Sequence, residues 1–250
     1  MERLDKRLAA TRLWSRSEAR DLIRAGRVTA AGQVVRRPED KVGEDTRIEV
    51  DGQPIGGSGP VYIMLHKPDG LVSATEDARE KTVLSLLPQQ YQRLGLFPAG
   101  RLDKDTEGLL LLTNDGPLAH RLLAPKSHVD KVYYVEVDGV LDEEDISAVR
   151  NGITLADGYT CLPGELELLE SGRGAYITLR EGKYHQIKRM MAARGKPVTY
   201  LKRVKFGPLE LDESLPKGSW RLLNEQEKEA LFRHSDERIG KINKKDEKNY

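Results

Sequence analysis

The chain has a single cysteine, five scattered histidines and no long apolar run, and each shortage excludes a class of protein. Cys161 cannot form an intramolecular disulfide, because the chain has no second cysteine to pair with it. The histidines show no ligand spacing such as His-x-x-x-His, so the sequence predicts no metal site. No apolar segment approaches the roughly 20 residues that a membrane-spanning helix needs. We therefore expect a protein without disulfide, metal or membrane anchor.

The total charge is also close to zero, at +1 over 250 residues, so it argues neither for nor against a polyanionic partner. The first 14 residues, MERLDKRLAATRLW, are charged throughout and lack the apolar stretch of a secretory signal, which predicts a cytoplasmic location. The length allows one large domain, or a large domain and a small one. The distribution of the charges must therefore indicate the partner.

The first 41 residues have a surplus of positive charge, with eleven Lys or Arg against six Asp or Glu. Ser15-Arg-Ser-Glu18 predicts a capping box, in which the two polar side chains satisfy the first free amides of a helix. The helix is expected to run to about Ala25 and to end at Gly26, which tolerates the left-handed conformation. This segment is therefore a short helix with defined ends.

Three arginines, Arg16, Arg20 and Arg24, recur on this helix at four-residue spacing and so form one ridge beside an apolar stripe. A ridge of this kind is often only a solvated basic face. However, more cations follow it at Arg27, Arg36, Arg37 and Lys41, and such a cluster suits contacts with phosphates. Both interpretations stay open on composition alone.

A hairpin around Ala31-Gly32 follows the helix, and Ile48–Val50 predicts a third strand. The stretch SRSEARDLIRAGRVTAAGQVV, Ser15–Val35, with Lys6 and Arg7 on the preceding helix, resembles an S4 RNA-binding domain, also known as an αL domain. The resemblance covers residues 1–55, and residues 56–60 read as a linker. It implies that RNA is contacted by Lys6, Arg16, Arg20, Arg24 and Arg27.

Phe97–Gly116, FPAGRLDKDTEGLLLLTNDG, is the centre of the rest of the chain. The run Leu109–Leu112 lies between a glycine and the turn Asn-Asp-Gly, which predicts a strand that is buried on both faces. The preceding loop carries Asp103 and Asp105 at the mouth of that strand, where functional residues are often held. We interpret Asp103 as the working residue.

Two other interpretations of the loop need weighing. Asp103-x-Asp105-x-Glu107-Gly108 resembles the first half of an EF-hand calcium loop, but the twelfth position is Asn114, where a glutamate ligand is expected. Alternatively, the acidic residues merely cap a turn. The segment alone does not exclude that second interpretation.

Short strands dominate from residue 61 to residue 211, with interspersed helices and no regular βαβ alternation, which predicts an α+β domain around a mixed, mostly antiparallel sheet. Lys131–Val137 alternates as a strand that places Tyr133 on one face. A basic helix begins near Lys183, and a last helix is expected at Asn224–Phe232. We expect the domain to span residues 61–234, followed by a disordered tail over residues 235–250.

Three separated motifs resemble those of RsuA-type RNA pseudouridine synthases, in the same order: AGRLD with the leucine strand and TNDG, then KVY, then EGKYHQIKRM. The resemblance implies a catalytic Asp103, a Tyr133 that packs on the uracil, a Lys188 that pairs with the carboxylate and an Arg101 linked to base displacement. It further implies RNA contacts by Lys183, His185 and Gln186. Lysine stands at 183 and 188, where relatives often have arginine, so bidentate contacts are in doubt there.

The family's reaction isomerises uridine to pseudouridine in RNA and needs no cofactor. The sequence leaves open whether Asp103 attacks C1′ of the ribose, attacks the uracil ring or assists glycal formation. KVY and the KYHQIK form favour 16S ribosomal RNA at uridine 516 over 23S ribosomal RNA. The expected partner is ribosomal RNA or a ribosomal subunit assembly intermediate, and the expected state is a monomer.

Two functions of other classes remain as alternatives. The chain could be a ribosome-assembly factor that binds RNA and has lost catalysis, although the intact motifs argue against this. It could also be a hydrolase with an Asp nucleophile, but no second acid or oxyanion motif supports that chemistry.

Overall fold

The computed structural model describes residues 1–43, 46–55, 59–124 and 129–246, without the side chains of residues 53–54 and 237–246. The chain separates into two compact units. The N-terminal unit comprises Met1–Val61 together with Leu87–Leu96, and the large unit comprises Tyr62–Leu86 together with the chain from Phe97 onward. Three residues of the predicted linker, 56–58, lie outside the described residues.

The N-terminal unit contains the elements that the S4 resemblance predicts. Its helices are α1 (Leu4–Ala10), α2 (Arg16–Arg24) and α3 (Gln89–Gln92), and its strands are β1 (Glu2–Arg3), β2 (Val28–Ala30), β3 (Gln33–Val35), β4 (Lys41–Val42), β5 (Ile48–Val50) and β6 (Gln53–Ile55). Strands β3, β2, β5 and β6 form one antiparallel sheet, and β1 pairs with β4. The apolar faces of α1 and α2 supply the core with Leu4, Leu8, Ala19 and Ile23.

The predicted start of α2 is confirmed atom by atom. The Ser15 hydroxyl accepts from the Glu18 amide at 3.3 Å, and the Glu18 carboxylate accepts from the Ser15 amide at 2.7 Å. Gly26 follows the helix at φ +73°, as the predicted stop requires. The Arg93 guanidinium also pairs with Glu18 at 3.1 Å, which ties the segment Leu87–Leu96 to this unit.

The large unit is built on one sheet. Its strands are β7 (Tyr62–Lys67), β8 (Phe97–Pro98), β9 (Glu107–Thr113), β10 (Lys131–Val137), β11 (Glu165–Leu168), β12 (Gly174–Leu179), β13 (Val198–Phe206), β14 (Leu209–Glu210) and β15 (Trp220–Leu222). Its helices are a 3₁₀ turn (Val83–Leu86), α4 (Gly116–Leu123), α5 (Glu143–Asn151), α6 (Gln186–Ala193) and α7 (Glu225–Asp246).

The strands run in the order β11-β12-β10-β13-β9-β7-β15, with β8 beside β9 and β14 beside β13. The β9–β13 pair is parallel and the other pairs are antiparallel, so the predicted mixed, mostly antiparallel sheet is confirmed. Every residue of β9 is buried, as the leucine run predicts. The parallel pair brings the loop before β9 close to β13 in the middle of the sheet.

Two differences from the sequence-based expectation concern the C-terminal part of the large unit. Strand β15 was not predicted, because its three residues show no alternation by themselves. The disordered tail expected from Ser235 is instead helical as far as Asp246. Ser235 is buried and accepts a hydrogen bond from the Arg121 guanidinium at 2.6 Å, so α7 is anchored beyond its predicted end. Extending an anchored helix then adds one hydrogen bond for each residue fixed.

Candidate active site

The loop of residues 101–106, between β8 and β9, carries the carboxylate that the sequence singled out. Its backbone is fixed from one side by Ser73, a buried residue whose hydroxyl donates to the Leu102 carbonyl at 2.9 Å and accepts from the Leu102 amide at 3.1 Å. The Thr106 amide donates to the Asp103 carbonyl at 3.1 Å and closes a tight turn. Asp103 is therefore presented on an ordered backbone.

A buried lysine, Lys67, fixes the same loop through hydrogen bonds to its backbone. The Lys67 ammonium is fully buried and donates to three backbone carbonyls, those of Pro68 at 3.0 Å, Lys104 at 2.9 Å and Thr106 at 2.9 Å. Burial lowers the pKa of Lys67 to about 8, and the neighbouring carboxylates, including Asp103, oppose that shift. The loop thus carries two carboxylates above a buried positive charge.

Asp103, Arg101 and Tyr133 line one cavity of about 430 Å³. This volume falls within the roughly 300–1,000 Å³ typical of small-molecule sites. Tyr133 is half-buried on β10, and Arg101 is exposed at the rim. Three of the four predicted catalytic residues therefore line one cavity, two of them from the 101–106 loop and one from β10.

Lys188, the fourth, lies in the first turn of α6 between two carboxylates. Its ammonium is 3.3 Å from Asp103 Oδ2 and 2.5 Å from Asp105 Oδ1. Burial acts to lower the pKa of Lys188, but the hydrogen bond to Asp105 and the charge of Asp103 outweigh it, so the pKa is raised. The predicted pair exists, but Lys188 is shared with Asp105, which the sequence did not assign to it.

The predicted RNA-contacting residues of the large unit lie at the start of α6, with Lys183 and His185 in the loop before the helix and Gln186 as its first residue. The imidazole of His185 approaches Asp103 at 3.6 Å, and the Lys183 ammonium lies over the Tyr159 ring at 4.7 Å. Gln186 is buried, and its amide accepts from the Lys183 backbone at 3.0 Å and donates to Glu181 at 2.7 Å. Gln186 thus holds the loop, and a contact between its side chain and RNA stays a prediction.

Two arginines of the predicted ridge, Arg16 and Arg20, meet at one carboxylate together with Arg3. Asp5 on α1 is fully buried and contacts the guanidinium of Arg3 at 3.0 Å, of Arg20 at 3.1 Å and of Arg16 at 3.6 Å. The hydrogen bond from Arg3 has the largest effect on the Asp5 carboxyl and, with Arg20, holds its pKa well below the usual range. The three arginines remain about half exposed, so their free donors face solvent.

The other predicted cations of this unit also have acidic neighbours. Lys6 pairs with Glu2 at 3.1 Å, Arg24 with Asp21 at 3.8 Å and Arg27 with Asp51 at 2.5 Å. Each of these cations is more than half exposed. Exposed ion pairs contribute only about 0–1 kcal/mol, so they leave the cations available to a stronger anion.

A second recess, of about 970 Å³, lies on the other face of β10, because Val132 lines it whereas Tyr133 lines the smaller cavity. Charged side chains that pair with each other surround it, such as Arg180 with Glu165 and Lys205 with Glu210. It contains none of the predicted catalytic residues. The smaller cavity is therefore the candidate active site despite its size.

Comparison with known proteins shows the family of the chain. A family model described as RNA pseudouridylate synthase matches residues 61–193, and an S4 domain model matches residues 2–48. An uncharacterized RNA pseudouridine synthase, YtzG, of Bacillus subtilis (strain 168) is 45% identical over 233 residues, which cover 92% of this chain and 98% of that protein.

Two further relatives extend the match. The ribosomal small subunit pseudouridine synthase A of Pseudomonas aeruginosa is 43% identical over 90% of this chain and 98% of its own length. A crystal structure of a pseudouridylate synthase, 36% identical, superposes with a TM-score of 0.66 over 92% of this chain and all of that one. This chain belongs to the RNA pseudouridine synthase family. It is an isomerase that acts on uridine in RNA and carries an S4 domain.

The synthase also has site residues that sequence reasoning missed. Lys67 and Ser73 both bind the backbone of the 101–106 loop, but they are distant from it in the chain, and no local pattern marks them. Asp105 was noted in the loop, but its pairing with Lys188 was not predicted. Among the described side chains of the synthase, no three His, Cys, Asp or Glu residues group as metal ligands would. No helix in the described ranges combines the length and apolar character that a membrane crossing requires.

Proposed function

We propose that this synthase converts uridine 516 of 16S ribosomal RNA to pseudouridine and that Asp103 acts on the target nucleotide. The observation that carries the proposal is the position of Asp103 at the cavity wall, 3.3 Å from the Lys188 ammonium. The relative named ribosomal small subunit pseudouridine synthase A, 43% identical, supports the choice of RNA. The reaction then takes place in the cytoplasm, where ribosomes are assembled.

The reaction breaks the bond from ribose C1′ to N1, turns the base over and joins C1′ to C5. The proton on C5 leaves and N1 gains one, so no group is gained or lost overall. An ionised Asp103 can act as a nucleophile or stabilise the sugar intermediate, by attack at C1′, by attack on the ring or by assisting glycal formation. The Lys188 ammonium, 3.3 Å from Asp103, places a positive charge beside the reacting group.

The remaining proposed roles are those that the family resemblance implies, and the positions of the side chains are compatible with them. Tyr133 presents its ring inside the cavity, where it can stack on the detached uracil and lies near the C5 proton. Arg101 stands exposed at the rim, where a cation can take the place of the displaced base. Such an enzyme must extrude its target from the RNA stack, at a cost of a few kcal/mol.

We further propose that the lysines and arginines of both units bind RNA phosphates, and that His185 and Gln186 contact the RNA beside the target nucleotide. The full set is Lys6, Arg16, Arg20, Arg24, Arg27, Lys183, His185 and Gln186. Phosphate contacts supply affinity that falls steeply with salt but little sequence choice. Base selection is therefore assigned to the cavity of the large unit.

The test measures tritium release from C5-labelled uridine in separate 16S and 23S transcripts, followed by mapping of the modified position. The wild type should release tritium from 16S RNA only. Asp103→Asn should abolish release and keep RNA binding, whereas the control Asp105→Asn, which removes the other carboxylate at Lys188, should keep measurable release.

Each other outcome has a defined meaning. Release from 23S RNA would keep the reaction and overturn the substrate. If neither transcript releases tritium, the assay is repeated with ribosomal assembly intermediates. No release from these would favour an RNA-binding factor without catalysis. Equal loss in both aspartate variants would contradict the special role of Asp103.

A further inference from the structure

Tyr184 is an exposed aromatic side chain beside the active-site cavity, and none of the proposed catalytic roles uses it. Tyr184 is 75% exposed, more than any other aromatic residue whose side chain the structure describes. The exposure of a single tyrosine is ordinary by itself, so the position of Tyr184 must indicate its role. Tyr184 lines the same cavity as Asp103.

The ring of Tyr184 is held in a defined orientation. It stacks on the imidazole of His185 with centroids 3.8 Å apart and planes 18° from parallel. The loop backbone is fixed as well, since Arg189 donates to the Tyr184 carbonyl at 3.4 Å and the Gln186 amide donates to the Lys183 carbonyl at 3.2 Å. One face of the Tyr184 ring is covered by His185, and the opposite face is open.

The backbone that produces this stack is strained. His185 has φ +48° and ψ +36°, a left-handed conformation that L residues with a Cβ rarely adopt. Such strain costs about 1–3 kcal/mol and persists where the surroundings enforce it, often at ligand sites. Here the imidazole of His185 lies 3.6 Å from Asp103, and the adjacent Tyr184 lines the cavity.

We propose that the stacked Tyr184–His185 pair is a base-binding subsite for the nucleotide next to the target uridine. When the target leaves the RNA stack, its neighbour loses a stacking partner, and the open face of Tyr184 offers a replacement of the same flat shape. Because every nucleobase has a π-face, the subsite accepts any base. The proposal rests on the proposed function in placing the target uridine at Asp103.

Fluorescence of 2-aminopurine tests the subsite without requiring turnover. The probe is a short single-stranded RNA with one uridine flanked on both sides by 2-aminopurine, whose emission falls when it stacks on an aromatic ring. The wild type and Tyr184→Phe should both quench the probe. Tyr184→Ala and Tyr184→Leu should lose the quenching and bind the probe about 5- to 100-fold more weakly.

Controls separate stacking from other roles. Tyr176→Ala removes another exposed tyrosine of the same unit, which lines the recess on the other face of the sheet, and should quench like the wild type. In tritium release, loss of the Tyr184 ring should raise KM more than it lowers kcat. Undiminished quenching by Tyr184→Leu, or no quenching by the wild type, would overturn the subsite.

The two proposals can fail independently. If the wild type quenches through Tyr184 but releases no tritium from any RNA, the subsite stands and the proposed reaction falls. If tritium is released at the wild-type KM by Tyr184→Ala, the reaction stands and the subsite falls. A lowered kcat with unchanged KM would instead assign Tyr184 to positioning His185 beside Asp103, which also overturns the subsite.

Discussion

Lys67→Met replaces the buried ammonium beneath the 101–106 loop with an apolar side chain of similar length. Two of the three carbonyls that the ammonium binds belong to Lys104 and Thr106, on either side of Asp105. Methionine fills the space but donates no hydrogen bond. The loop should therefore loosen while the surrounding core stays packed, and Asp103 should lose its fixed position.

The magnitude follows from two opposing effects. Burial lowers the pKa of Lys67 from 10.5 to about 8, and a difference of about 2.5 corresponds to about 3 kcal/mol lost by keeping the ammonium charged in the folded protein. Each hydrogen bond from a charged donor contributes about 1.5–3 kcal/mol, so the three together contribute about 5–9 kcal/mol. The substitution should thus lower the free energy of unfolding by about 2–6 kcal/mol at pH 7.

The pKa of Lys67 also determines whether folding stability rises or falls with pH. Because the pKa of Lys67 is lower in the folded than in the unfolded chain, the unfolded chain binds more protons between about pH 8 and pH 10.5. Stability contributed by this group therefore rises with pH across that window and is flat below it. Lys67→Met lacks the rise, so the stability gap between wild type and variant should widen by up to about 3 kcal/mol there.

Urea denaturation at several pH values and tritium release under saturating RNA measure these effects. Lys104→Met is the matched control, since the Lys104 side chain is half exposed on the same loop, and surface changes usually stay within about 0.5 kcal/mol. A displacement of about 1 Å at a reacting group can cost about 100-fold in rate, so kcat should fall more than KM rises. If Lys67→Met matched the control in both stability and kcat, the anchoring role would be refuted.

Two further predictions concern other parts of the fold. Asp5→Asn removes one negative charge but also the shared partner of three arginines, so RNA affinity should fall about tenfold in filter binding. The control Asp40→Asn makes the same change in net charge elsewhere and should not weaken binding. Tighter binding by Asp5→Asn would show that charge alone matters. Gly108→Ala should destabilise by at least about 3 kcal/mol in thermal unfolding, because a Cβ there would lie 2.2 Å from the Arg203 carbonyl oxygen at φ +104°. The control Gly116→Ala, with open space at its Cβ, should be near neutral, and equal melting of the two variants would contradict the clash.

Local signals predicted the elements that local interactions determine. The capping box at Ser15 and the leucine run of β9 were confirmed, because a cap satisfies amides three residues away and a buried strand must be apolar throughout. Strand β15 and the extension of α7 were not predicted. Their formation depends on partners far along the chain, such as Arg121 for Ser235.

The candidate site divides in the same way. The motif resemblance indicated Asp103, Tyr133 and Lys188, and the structure brings Asp103 to both Lys188 and the cavity that Tyr133 lines. The sequence could not give the parallel β9–β13 register that brings these segments together, since pairing between residues as far apart in the chain as Glu107 and Lys202 leaves no local trace. The supporting contacts of Lys67 depend on the pairing of β7 with β9, in which Lys67 lies opposite Gly108, and they were missed for the same reason.

Each unit contains a buried charged side chain whose hydrogen bonds hold an exposed group in place. In the N-terminal unit, Asp5 binds guanidiniums that remain half exposed, and in the large unit, Lys67 binds the backbone of the loop that exposes Asp103. Apolar packing cannot orient a group that must face water, because the hydrophobic effect is non-directional. Hydrogen bonds to a buried charge can, although burying that charge is unfavourable without them. Replacing either charge with an apolar residue of the same shape should therefore impair RNA binding or turnover more than the loss of folding stability alone would account for.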